Sequence, residues 1–288
     1  MSADRTGADV VNALTVDVEE YFQVSAFEGV IDRTTWDGIE SRVERATGRL
    51  LDLFARHDVQ GTFFVLGWIA DRHPGLVREI RDRGHEIASH GWEHRLVTSF
   101  DPEAFRADLR RASDAIHAAC GARVTGFRAP SFSFSAETPW AFEVLGSEGY
   151  GWSSSVFPVR HDRYGIPDFP RWPVRVAAGE GRTLVEFPMT TWRVLGRNLP
   201  VAGGGWLRAL PPFVMHRAIR AANEAGWPAI TYVHPWEVDP DQPDVPAASR
   251  KARFRHRLNL QKTLGRLDRL LDRFPFGTVT QALEAVGP

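Results

Sequence analysis

Glu86-Ile87-Ala88-Ser89-His90-Gly91-Trp92-Glu93-His94 closes an apolar run with two imidazoles four residues apart. If a strand ends near His90 and a helical turn follows, that spacing turns both rings to one side, where they can share a metal ion. An isolated H-x3-H is equally compatible with one core and one surface histidine. Chemistry gains weight because acids, an arginine and another histidine close other apolar runs of the chain.

Upstream, Asn12-Ala13-Leu14-Thr15-Val16-Asp17-Val18-Glu19 reads as a buried strand running into acids. Period 2 puts Asp17 and Glu19 on one side, where the two carboxylates repel unless a cation or a shared proton intervenes; a strand end simply reaching water is the plainer reading. Val43, Ala46, Leu50, Leu51 and Phe54 fall at helical spacing between Ser41 and Arg56. Gly61 to Gly67 is a glycine-bounded strand, and Pro74 opens a helix that Gly84 can end.

Downstream, Asp101-Pro102 is an N-cap followed by proline at the first helical position, with Phe105, Leu109, Ala112, Ile116 and Ala119 on one face. Val124 to Pro130 is a strand tipped by Arg128. Helix Thr138 to Ser147, strand Tyr150 to Ser155, strand Leu184 to Pro188, helix Pro212 to Ala225 and strand Ala229 to Glu237, which carries His234, continue the alternation. Strands alternating with helices predict an α/β fold with a parallel sheet curled into a barrel. Phe157 to Pro173 reads as a long functional loop, and Leu258 to Phe274 as an amphipathic C-terminal helix. Arg250 to Arg257 is the one basic cluster; it reads as a solvated approach to that helix or, more sharply, as a clamp for an acidic or diphosphate-linked glycan.

The 288 residues, 43% hydrophobic, suffice for one full core, so a single domain is expected over 12–288 behind a flexible N-terminus, 1–11. Lys+Arg 35 against Asp+Glu 36 gives a net charge of -1 and no global case for nucleic acid or an anionic membrane. The single cysteine, Cys120, excludes an intrachain disulfide and a Cys-rich zinc site, leaving histidine and carboxylate as metal ligands. No apolar run reads as a signal peptide or membrane span, so a soluble, cytoplasmic protein is expected. Nothing here speaks to oligomeric state.

Taken together, Thr15-Val16-Asp17-Val18-Glu19, Ser89-His90-Gly91-Trp92-Glu93-His94, Arg128-Ala129-Pro130 and Val233-His234-Pro235 resemble the polysaccharide deacetylase family, carbohydrate esterase family 4. Asp17-Val18-Glu19-Glu20-Tyr21-Phe22 and His234-Pro235-Trp236-Glu237 are similar to the subgroup found with bacterial exopolysaccharide and exosortase genes. The resemblance implies a distorted (β/α)7 barrel and one divalent metal, zinc or else cobalt or another transition ion. The implied activity is removal of N-acetyl groups from a polysaccharide or oligosaccharide. It implies His90 and His94 as ligands and Asp17 as general base; Glu19 is the nearest acid for the third ligand, since Val18 stands where relatives carry an aspartate. It further implies Arg128 as the partner of Asp17, His234 as general acid, and the Ser131 N–H as an oxyanion donor. Trp92, Tyr164 and Trp172 are expected to line a sugar groove.

In one respect the sequence departs from that family. Ser153-Ser154-Ser155 stands where many relatives carry the aspartate that pairs with the late histidine, which leaves Asp162 or Glu237 as candidates to assist His234. Two other readings of the fold are a catalytically silent carbohydrate-binding barrel and a hydrolase of small cyclic amides.

Overall fold

The computed structural model describes residues 10–161 and 164–287. Its strands are β1 (Asn12–Val18), β2 (Thr62–Val65), β3 (Glu86–Ser89), β4 (Gly126–Phe127), β5 (Trp152–Ser153), β6 (Val174–Ala177), β7 (Thr183–Glu186), β8 (Thr191–Val194), β9 (Arg197–Pro200), β10 (Ile230–Val233) and β11 (Phe276–Gly277). The helices are α1 (Val43–Arg56), α2 (Gly67–Arg72), α3 (Pro74–Asp82), α4 (Pro102–Cys120), α5 (Trp140–Ser147), α6 (Gly205–Ala209), α7 (Pro212–Glu224), α8 (Arg250–Arg257), α9 (Leu260–Leu271) and α10 (Val279–Val286).

The main sheet runs β10-β1-β2-β3-β4-β5-β7-β6, parallel throughout except for the edge strand β6, with β11 also pairing β1. β1 and β2 are buried along their whole length, as strands of a parallel sheet with both faces covered must be. The result is one α/β domain built on a curled, barrel-like sheet. The register puts Val65 beside Ser89, Ser89 beside Phe127, and Phe127 beside Ser153. The next residues along, His90, Arg128 and Ser154, therefore lie together at the carboxyl ends of their strands.

Between β7 and β10 the ring closes without a regular ladder. Thr190 Oγ1 donates to the Ile230 carbonyl at 2.8 Å and accepts from the Ile230 N–H at 2.7 Å, so one side chain satisfies both backbone groups. Just beyond, Tyr232 N–H donates to Ala202 O and Gly204 N–H to Tyr232 O, each at 3.0 Å. Here glycine is required, since a Cβ on Gly203 would sit 1.9 Å from Tyr232 O.

Helix α4 shows how local signals set the cover layer. The Asp101 carboxylate accepts from Ala104 N–H at 2.8 Å, Pro102 occupies the first turn, and Gly121 at φ 72° ends the helix. Phe105, Leu109, Ala112, Ile116 and Ala119 are its buried face, as the spacing predicted.

Other segments differ from expectation. β4 and β5 are only two residues long because side chains take the backbone donors that would extend the ladder: Ala129 N–H donates to Ser155 Oγ, and the N–H groups of Ser155 and Val156 donate to Glu186 Oε1. The antiparallel β8–β9 hairpin and the edge strand β6 add to the expected alternation. The basic cluster forms helix α8, and α9 is the expected amphipathic helix. The chain then returns to the sheet as β11 and ends in α10, whose start is a reciprocal Thr278–Gln281 capping box. Of the expected N-terminal arm, residues 1–9 lie outside the described residues, while Val10 is buried. No helix among the described residues is long and apolar enough to cross a membrane.

Candidate active site

The two histidines of the opening stretch converge, but not on a helical turn. β3 ends at Ser89, and the chain reverses through Gly91 at φ 77° and His94 at φ 57°. Gly67 and Trp68 N–H hold the loop by donating to the carbonyls of Gly91 and Trp92 at 2.8 and 2.9 Å. His90 and His94 thus bring their ring centres within 5.3 Å. A non-glycine residue in the left-handed region costs energy, and at His94 the conformation is what aims the ring inward.

Glu19, one residue past β1, completes the group. Among the described residues, one donor atom from each of Glu19, His90 and His94 lies within 4.8 Å of the other two. His90 Nδ1 donates to the Arg128 carbonyl at 2.8 Å, which fixes the tautomer and leaves Nε2 as a lone-pair ligand. Burial lowers the His90 pKa to about 4, so the ring is neutral, as a ligand must be. Glu19 Oε1 accepts from Trp236 Nε1–H at 3.0 Å; Oε2 is buried, makes no well-formed hydrogen bond, and faces His94 Nε2 at 2.9 Å. Burial alone would raise the Glu19 pKa, yet His94 and His234 hold it well below the usual carboxylate range. Two imidazole donors and a carboxylate with an orphaned buried oxygen fit a divalent cation.

Asp17 lies beside this group. Arg128 Nη1 donates to Asp17 Oδ1 at 2.6 Å and to Thr15 Oγ1 at 2.8 Å. The guanidinium is wholly buried over the Phe64 ring, with Nε donating to Ser154 O at 3.2 Å and Nη2 to Ser154 Oγ at 3.1 Å. The serine run that replaces the expected acid therefore holds Arg128, which in turn fixes Asp17.

His234 approaches from the other side, with Nε2 3.5 Å from Glu19 Oε1 and 3.9 Å from Asp17 Oδ2. Its Nδ1 donates to Glu237 Oε2 at 2.9 Å, and Glu237 Oε1 accepts from Arg208 Nε at 2.5 Å. Burial would lower the His234 pKa, but Glu19 and Glu237 raise it to about 9. Burial would likewise raise Glu237, but Arg208 and His234 bring it to about 2. Of the two candidates to assist His234, Glu237, three residues on, supplies the carboxylate. Asp162 lies outside the described residues. The pairing is written locally as His234-Pro235-Trp236-Glu237, a capping box around a short 3-10 turn. Nothing in the sequence marked Arg208 or Glu186.

The proposed substrate contacts divide. Ser131, at φ 54°, shares a 2.5 Å hydrogen bond between its Oγ and that of Ser25. Tyr164 stacks on Phe157 and meets Phe132, which packs on Tyr232 beside His234. Trp92 and Trp172 are not brought to the centre. Trp92 is 7% exposed and capped by Arg111 at 3.6 Å, and Trp172 stacks on Trp227 at 6.2 Å. Both are large apolar rings whose burial against neighbours outweighs exposure in a groove.

A cation-competent His-His-Glu cluster, flanked by an Asp–Arg pair and a His–Glu pair at the strand ends of a curled α/β sheet, defines the class. Residues 33–150 match the polysaccharide deacetylase family model, and residues 154–284 match a domain of unknown function, DUF3473. The chitooligosaccharide deacetylase of Rhizobium leguminosarum bv. trifolii is 42% identical over 74 residues, covering 26% of this chain and 34% of that protein. The peptidoglycan-N-acetylglucosamine deacetylase of Listeria monocytogenes serotype 1/2a is 30% identical over 130 residues, covering 45% of this chain and 27% of that protein. This chain therefore spans well under two thirds of either relative. A Mycobacterium smegmatis structure assigned as a polysaccharide deacetylase superposes with a TM-score of 0.64 at 21% identity, covering 99% of this chain and 93% of that one, which speaks to the fold. Over residues 33–150 the chain is thus similar to the polysaccharide deacetylase family. The two matched regions are not separate modules, because β4 from the first pairs with β5 and β5 pairs with β7 from the second. His234, Glu237 and Arg208 all come from the DUF3473 region.

Proposed function

We propose that this protein is a metal-dependent hydrolase that removes N-acetyl groups from a glycan. One observation carries the reading: a cation-competent cluster stands between a carboxylate fixed by arginine and an imidazole fixed by a second carboxylate. Glu19, His90 and His94 would hold the metal, zinc by the chemistry of the donor set, and the bound ion would polarise the acyl carbonyl and a water. Asp17, oriented by its hydrogen bond from Arg128, takes the proton of the attacking water. Attack forms the new C–O bond; collapse breaks the C–N bond, and His234 delivers a proton to the departing amine. Once Glu19 is neutralised by a cation, Glu237, hydrogen-bonded to Nδ1, and the more distant Asp17 still favour a protonated His234. The Ser131 N–H is the candidate oxyanion donor, and Tyr164 the candidate sugar contact.

The similarity of Asp17 to Phe22 and of His234 to Glu237 to the exopolysaccharide-associated subgroup supports a polymer of that kind as substrate. The test is acetate release from N-acetylated chito-oligosaccharides by protein loaded with zinc or cobalt, with a chelated control. Release that depends on metal is expected. Background release together with sugar binding would indicate a silent barrel instead, and opening of a small cyclic amide without glycan turnover would change the substrate class.

A further inference from the structure

Helix α8 carries a stripe that neither the core nor the candidate centre uses. Arg250, Arg253, Phe254 and Arg257 follow one another at three- and four-residue spacing, so they share one face. They line a shallow, open groove with Asp244 and Asn259. Three guanidiniums face one carboxylate there. Arg253 pairs with Asp244, and Arg257 donates to the carbonyls of Gln242 at 3.1 Å and Pro240 at 3.3 Å. Among the described residues the Arg250 side chain has no hydrogen bond or ion pair.

Two features of this stripe count against a merely solvated face. Arg253 is offset by Asp244 and Arg257 by two carbonyls, whereas Arg250 adds an uncompensated charge to a like-charged row. Phe254, moreover, is 67% exposed between arginines while His256 takes the buried side. An exposed ring flanked by guanidiniums suits a sugar that presents an apolar face and an anionic substituent.

We propose that this groove binds an anionic glycan, with Phe254 against the sugar ring and Arg250 and Arg253 on its carboxylate or phosphate groups. The choice of a sugar rests on the glycan-hydrolase reading above. The net charge of -1 speaks against a nucleic-acid partner.

Isothermal titration of the full chain with hexagalacturonate, with chitohexaose as the neutral control, tests this. Hexagalacturonate is expected to bind more tightly than chitohexaose, to weaken as salt is raised, and to bind equally after metal chelation. Arg250→Gln and Phe254→Ala alter exposed side chains and are expected to fold normally, and each should weaken binding by about five-fold or more. Inorganic pyrophosphate whose binding is lost in Arg250→Gln but kept in Phe254→Ala would assign phosphate as the preferred charge. Equal affinity for the neutral oligomer, no binding of either anion, or unchanged affinity in both variants overturns the proposal, as does cosedimentation with phosphatidylglycerol vesicles without hexagalacturonate binding. A protein that binds hexagalacturonate but releases no acetate leaves the groove standing and removes the deacetylase reading.

Discussion

His234 Nδ1 donates to Glu237 Oε2 across 2.9 Å, and the two residues are joined by the single 3-10 turn that Pro235 opens. A contact between residues three apart costs little chain entropy, and it needs no acid at the end of β5. Arg208 completes the arrangement: its Nη1 donates to the carbonyls of Arg255, His256 and Leu258, tying the end of α8 to Glu237. Glu237 is therefore predicted to act through His234. Glu237→Gln removes the charge, and turnover should fall about 10- to 100-fold with metal content unchanged. That variant leaves Arg208 buried and unpaired, a cost of about 3–5 kcal/mol. Glu237→Asp keeps the charge and should retain more turnover than Glu237→Gln; equal turnover in the two variants would reduce the pair to a packing element.

His90→Ala and His94→Ala should each lose metal while keeping the fold. His90 gives up one buried hydrogen bond, to the Arg128 carbonyl, worth about 1–2 kcal/mol. Metal analysis of purified variants, with circular dichroism for the fold, is the measurement. Full metal content in both would reject the ligand assignment.

Asp17→Asn keeps an oxygen for Arg128 Nη1, which lies 2.6 Å from Asp17 Oδ1, and removes the basic group. Metal should stay bound while acetate release drops by about 10²- to 10⁴-fold. Unchanged turnover would take Asp17 out of the base role.

Glu186 gives a pH-dependent prediction. Burial raises its carboxyl from 4.5 to about 7, only partly opposed by the N–H of Val156, the Ser153 hydroxyl and the N–H of Ser155. Between those values the unfolded chain ionises at this position while the folded chain retains the proton. The contribution is fully present below pH 4.5 and is lost as pH rises to about 7, at most about 3 kcal/mol. Glu186→Gln keeps an acceptor for the Ser155 and Val156 N–H groups and never ionises. Its melting temperature should rise relative to the parent as pH goes from about 5 to about 8, and a difference that stays flat across that range would mean that Glu186 is ionised in the folded protein.

The order of strands and helices was legible because apolar runs and caps are local: Asp101, Pro102 and Gly121 bound α4 whatever the rest of the chain does. The chemistry-bearing residues were legible too, since Asp17, Glu19, His90, Arg128 and His234 each end or follow an apolar strand. The two-residue strands β4 and β5 were read too long, because whether a backbone N–H joins a ladder or a side chain depends on what lies opposite. For β5, what lies opposite is Glu186, thirty or so positions away.

The sequence by itself determined which residue types stand at the strand ends, and hence the alphabet of the chemistry. Only the folded chain decided which of them meet. A positive φ at His94, rather than a helix, turns its ring toward Glu19. A serine run grips Arg128, and Glu237 in place of a β5 acid holds His234. The physical reason is range: propensity and hydrophobic period act over a few residues, whereas a buried charge is stable only beside the partner that the whole sheet brings to it.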